Sequence, residues 1–190
     1  MRCTKNEYVT GAVFHFYNKT PDKKLLFRCD EDYVYFLNKL KYNIKKYPCE
    51  VYAYCLMPNH FHFCLKQKSD MPLYRIFNDT LTSYALHYNH KYQIKGKLLQ
   101  DRLQSKRVNK DCYLLLLCNY IHNNPVRAGL VEDVAGWEYS NFLEYARLRN
   151  GSLYSKELIS YFPDDFVDYL NSIKNYQQYI NDVKFKQLLF

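Results

Sequence analysis

Glycine and proline are scarce, with 5 and 6 among 190 residues, so long flexible linkers are not expected. The 7 cysteines form no C-x-x-C pair, which removes the common zinc-ribbon and thioredoxin spacings. Their number is odd and most sit among apolar neighbours, so they read as small core residues in a reducing compartment. No run approaches the ~18 apolar residues of a membrane span. The first residues show no long apolar core of a signal peptide, so a cytoplasmic protein is the expectation. Acidic charge is also short, at 19 Asp+Glu against 27 Lys+Arg.

What remains is rich in large side chains. Aromatic residues make up 18% of the chain and hydrophobic ones 48%, which is enough for a packed core and argues against disorder. Residues 151–190 carry 4 basic against 5 acidic side chains, so residues 1–150 carry 23 against 14 and hold the positive excess of the chain. A basic body with 21 tyrosines suits a polyanion, because phosphates attract Lys and Arg while bases stack on rings. A solvated basic surface has the same composition, so charge alone does not decide.

The hydrophobic periods predict the order β-α-β-β-α-β-α. Strands are expected at 8–16, 51–56, 60–67 and 103–108. Helices are expected from Asp30, taken as a cap, to Pro48; over 71–92; and from Cys112 to about Asn124, where Pro125 should end it. Met57-Pro58-Asn59 is turn chemistry and makes strands two and three a hairpin. The order implies an α+β sandwich: a mainly antiparallel sheet with helices on one face. Residues 1–150 read as one domain, and 151–190 as a helical extension packed on it.

Two stretches carry chemistry. In a strand, alternate residues share a face, so His60, His62 and Cys64 point one way while Phe61, Phe63 and Leu65 point to the core. Two imidazoles on one rigid strand can hold a divalent metal and leave positions open for a substrate oxygen. H-x-H by itself is more often a half-exposed pair without a ligand, and Cys64 reads better as a packing residue. In "CNYIHNNPVRAGLV", an apolar helix becomes abruptly polar, and Tyr120 and Asn124 share one face. A phenol near a metal-polarised phosphodiester can attack it and retain the bond energy as a phosphotyrosine ester, which favours breakage and rejoining over hydrolysis. His122 reads as a surface polar residue or a base beside that phenol.

Taken together, "YAYCLMPNHFHFCL", "YLLLLCNYIHNNPVRAGLV" and "GWEYSNFLEYA" resemble the REP-associated tyrosine transposases of the single-tyrosine HUH superfamily, along roughly residues 8–146. The resemblance implies a ferredoxin-like core with His60 and His62 on a central strand as metal ligands. It implies Tyr120 as nucleophile and Asn124 as the side chain completing a Mg²⁺ or Mn²⁺ site. The substrate would be single-stranded DNA, often with a foldback hairpin, cleaved and rejoined by a monomer or a homodimer. DNA contacts fall on Arg102, Lys106, Arg107 and Arg127. The chain departs from the family's Gly-Arg-Phe-Lys run at "QDRLQSKRV", where Asp101 and Gln104 reduce positive character. A non-catalytic hairpin-binding relative, a structural metal site, and a rolling-circle initiator or relaxase are the alternatives.

Overall fold

Alternation of aromatic and polar residues sets the two faces of the sheet. The computed structural model describes residues 8–108 and 111–159. Strand β1 (Val13–Lys19) buries Phe14 and Phe16 on one side and turns His15 and Tyr17 to the other. β2 (Cys49–Met57) and β3 (His60–Gln67) are joined by the Pro58-Asn59 turn, as the turn residues predict. β4 is Gln104–Val108. These strands form a four-stranded sheet in the order β2-β3-β1-β4, each pairing antiparallel. The first strand starts at Val13 rather than Tyr8. The Gly11 backbone at φ +86° lies in the intervening turn, a conformation that glycine adopts without strain.

Helices α1 (Asp30–Lys46) and α2 (Tyr74–Tyr92) lie side by side on the Phe face. Phe36 and Leu40 of α1 and Ile76, Phe77 and Tyr84 of α2 are fully buried against Phe14, Phe16, Phe61 and Phe63. Each such phenylalanine contributes about 1.5–3 kcal/mol of burial energy. The two helices also share a buried hydrogen bond, Asn43 Nδ2 to Thr80 Oγ1 at 2.9 Å. The sequence pointed to Asp30 as the cap of α1. The N-cap is Cys29, and Asp32 reaches back to accept from the Arg28 amide at 2.8 Å, while Asp30 accepts from the Tyr139 hydroxyl.

A further helix covers the opposite face. α3 (Asp111–Arg127) packs on β2 and β3, with Leu114, Leu117, Cys118 and Ile121 against Tyr52, Ala53, Cys55 and Cys64. The expected one-sided layer is therefore α1 with α2, and α3 adds a layer on the other side. α3 also continues past Pro125, where the sequence suggested it would stop. Proline removes the amide that would bond the Ile121 carbonyl. The Asn124 side chain supplies a donor instead, with Nδ2 at 3.3 Å from that oxygen and 2.9 Å from the Tyr120 carbonyl.

The segment after α3 closes the outer edge of β2. Leu56 N donates to the Tyr139 carbonyl, Trp137 Nε1 to the Leu56 carbonyl, and Tyr54 N to Asn141 Oδ1. Helices α4 (Phe142–Tyr145) and α5 (Lys156–Ile159) follow, and Leu153 and Leu158 are buried. The rest of the expected extension, 160–190, lies outside the described residues. No helix among the described residues is long and apolar enough to cross a membrane.

Candidate active site

The first residues of β3 and the middle of α3 meet on the histidine face of the sheet. The turn is held by the loop after β1: Leu26 N and Phe27 N donate to the Pro58 carbonyl, and Thr20 N to the Asn59 carbonyl. His60 therefore starts β3 at a fixed place, opposite Lys19 of β1. His60 and His62 share a face, their ring centroids 5.2 Å apart and nearly perpendicular. Tyr120 arrives from α3, edge-on to His62 at 5.5 Å. His60, His62 and Tyr120 line one cleft of about 440 Å³ together with Tyr17, Asn18 and Lys19.

Burial sets the protonation of this group. The His60 pKa is pushed down to about 4 by burial, with the Lys19 charge adding to it. His62 is driven well below its ordinary value by burial, then by His15, His60 and Arg127. Both rings are thus neutral at pH 7, the form that ligates metals. Tyr120 is 4% exposed, and burial raises its phenol pKa above the usual value, while the nearby Arg127 cation works against that rise. The Arg127 guanidinium lies 5.1 Å from the centre of the Tyr120 ring. It reaches that place because α3 runs on through Pro125.

The ring nitrogens differ in role. His60 Nδ1 lies 2.6 Å from Asn59 Oδ1; an amide oxygen only accepts, so Nδ1 carries the proton and Nε2 keeps its lone pair. His62 Nδ1 lies 3.0 Å from His15 Nε2. Two neutral imidazoles lining one cleft fit a divalent cation held by few protein ligands, the remainder coming from substrate or water. Among the described residues no group of three or more His, Cys, Asp or Glu is placed to hold a metal. Asn124 is buried and its amide nitrogen is spent on α3 carbonyls, so its oxygen is the atom it could offer a metal.

The four basic residues singled out in the sequence do not cluster. Arg127 stands over Tyr120. Lys106 pairs with His15 across β1–β4 and so shares the histidine face, whereas Arg107 pairs with Phe14 and turns to the other face. Arg102 is exposed just before β4. Cys64 is a buried packing residue against α3, as expected. His122 is neither exposed nor beside the cleft. It is fully buried, its pKa lowered to about 4 by burial, and it donates through Nε2 to Asn141 Oδ1 at 2.8 Å. Its neighbour two places before packs at the cleft, but a two-residue step on a helix turns the side chain away.

Sequence reasoning missed His15, Asn59 and Lys19. In the sequence, Asn59 shows only turn chemistry. His15 was hidden inside an aromatic strand, although its i+2 relation to Tyr17 put it on the polar-bearing face.

The chain matches the family described as Transposase IS200 like over residues 9–124. It is 27% identical over 150 residues to a Haemophilus influenzae protein described as a REP-associated tyrosine transposase, covering 73% of this chain and 84% of that one. Its fold is similar to the solved structure of a REP-associated tyrosine transposase bound to a REP hairpin, with a TM-score of 0.64 and 17% identity, over 82% of this chain and 98% of that chain. The order and faces of the sheet agree with an α+β, ferredoxin-like core. The chain belongs to the IS200-like transposase family and resembles the REP-associated tyrosine transposases.

Proposed function

We propose that this protein is a metal-dependent DNA strand transferase that cuts and rejoins single-stranded or hairpin DNA through a covalent bond to Tyr120. The observation that carries the reading is the meeting of Tyr120 from α3 with His60 and His62 from β3 at the wall of one cleft. The strand with the two histidines and the helix with the tyrosine are separate parts of the chain, and packing needs no such convergence.

In this reading His60 and His62 hold Mg²⁺ or Mn²⁺, with Asn124 offering its amide oxygen. The bound cation would polarise the phosphodiester and stabilise charge on its oxygens. Tyr120 Oη attacks phosphorus, one P–O bond forms and another breaks, and the deoxyribose oxygen leaves, taking a proton from solvent to become a hydroxyl. The phenol proton passes to solvent in the cleft. Arg127 favours the phenolate as it forms. Attack by a DNA hydroxyl on the phosphotyrosine reverses the exchange and rejoins a strand, so no external energy source is needed. Lys19 and Lys106 on the same face provide positive charge for the DNA backbone. Hairpin DNA is the favoured substrate because the structural relative is bound to a REP hairpin.

The test is a denaturing gel for covalent protein–DNA adducts. Hairpin-bearing single strands from beside the protein's own gene are mixed with wild type or Tyr120→Phe, in Mn²⁺ or EDTA. An adduct seen only with wild type and metal supports the reading. A normal adduct yield from Tyr120→Phe removes Tyr120 as nucleophile, and metal-responsive cleavage by the His60→Ala/His62→Ala double variant removes the histidine site. Tight hairpin binding with no adduct would make this a binding protein instead.

A further inference from the structure

We infer that His15 is a positioning residue for this site: it accepts the Nδ1–H of His62, holds that ring in one tautomer and so presents the His62 Nε2 lone pair to the cleft. The inference rests on the reading of His60 and His62 as metal ligands.

His15 is 2% exposed, and its Nε2 stands 3.0 Å from His62 Nδ1. The two rings lie nearly parallel with centroids 5.2 Å apart, and Tyr17 packs on both, at 4.9 Å from His15 and 6.0 Å from His62. The pair is set by the β1–β3 ladder, where Tyr17 lies opposite His62 and His15 opposite Cys64, so His15 is the diagonal neighbour of His62. The same ring position on His60 is served by Asn59, which can only accept there. Each histidine of the H-x-H pair therefore has one dedicated partner at Nδ1, and both rings line the cleft.

The arrangement has a second proton placement. If His15 donated from Nε2, the His62 proton would sit on Nε2 and close that nitrogen to a metal. His15 Nδ1 is buried without a hydrogen-bond partner and carries the ring's proton when Nε2 accepts, so among the described residues the bond to His62 is the one contact that sets the His15 tautomer. The His62 ring and its bond to His15 therefore decide together whether the cleft presents a ligand. Partners of this kind typically change metal affinity 10- to 100-fold when removed.

The experiment measures Mn²⁺ binding to the full chain by the spin-resonance signal of free Mn²⁺. It compares wild type, His15→Leu, His15→Gln and the His60→Ala/His62→Ala double variant, each with a melting curve. His15→Leu should weaken binding at least about 10-fold. His15→Gln, which keeps an acceptor, should recover most of the loss. Wild-type affinity in His15→Leu, with binding still lost in the double variant, would overturn the role of His15 and leave the metal site standing. Equal weakening by Leu and Gln would also overturn it, as a loss of shape. Wild-type affinity in the double variant would sink the two-histidine site itself. Should His15→Leu fail to fold, nitrogen-15 NMR of wild type decides: His62 protonated at Nδ1 is expected, and protonation at Nε2 refutes the inference.

Discussion

Replacing Arg127 by Gln separates two roles for this side chain, tuning the Tyr120 phenol and gripping DNA. The guanidinium carbon lies 5.1 Å from the ring centre. At that distance a unit charge interacts with a phenolate by about 3 kcal/mol at an effective dielectric of about 20 and by about 0.8 kcal/mol in bulk water. Arg127 is exposed, so the interaction falls in the lower part of that range, about 1–2 kcal/mol. Burial already raises the phenol pKa above its usual value, and removal of the cation raises it further. The phenolate fraction at neutral pH then drops about 5- to 30-fold. The assay is single-turnover adduct formation with saturating DNA across pH 7–10, with DNA affinity measured alongside. The adduct rate should fall by that factor, and its rise with pH should shift to higher pH. An unchanged rate and pH profile with weaker DNA binding would refute the tuning argument and make Arg127 a phosphate contact.

Asn124→Ala should destabilise the chain by about 1–3 kcal/mol in urea unfolding, because the buried Tyr120 and Ile121 carbonyls lose their shared donor. Phe61→Ala, in the fully buried face of β3, should cost about 3–5 kcal/mol in the same assay. Lys106→Ala should weaken single-stranded DNA binding and lower its salt slope by about one, while Arg107→Ala, on the other face, should leave the slope nearly unchanged. Thermal stability should fall as pH drops from about 6.5 towards 4. His60 and His122 titrate near 4 and His15 near 3 when folded, against 6.5 unfolded, so the unfolded chain binds more protons in that window. His122→Gln should flatten that fall in a series of melting curves, and an unaltered slope would contradict the buried neutral histidine.

The alternation in "HFHFCL" was enough to divide β3 into a core face and a polar face, because a strand's side-chain period is two whatever its neighbours are. Pro58-Asn59 marked the hairpin, and the period of Tyr33, Phe36 and Leu40 marked α1, because both signals are local. Signals that a competing partner can override misled. Asp30 resembled a cap, but Tyr139 from more than a hundred residues away takes its carboxylate. Pro125 resembled a stop, but Asn124 supplies the missing donor, and a side-chain bond of that kind has no sequence signature.

The sequence by itself determined the element order, the two faces of β3 and the residue types able to hold a metal and attack a phosphate. Only the tertiary structure showed that Tyr120 stands beside His62, with Tyr17 next to it, because α3 had to cross to the far side of the sheet. It also decided that His122 is a buried strut and that Arg127 rather than Arg107 reaches the site. The pairing of His15 with His62 was likewise out of reach of the sequence, since it depends on the register of β1 against β3 across 47 residues of chain. Local periodicity fixes what each side chain faces; long-range register and packing fix what it meets.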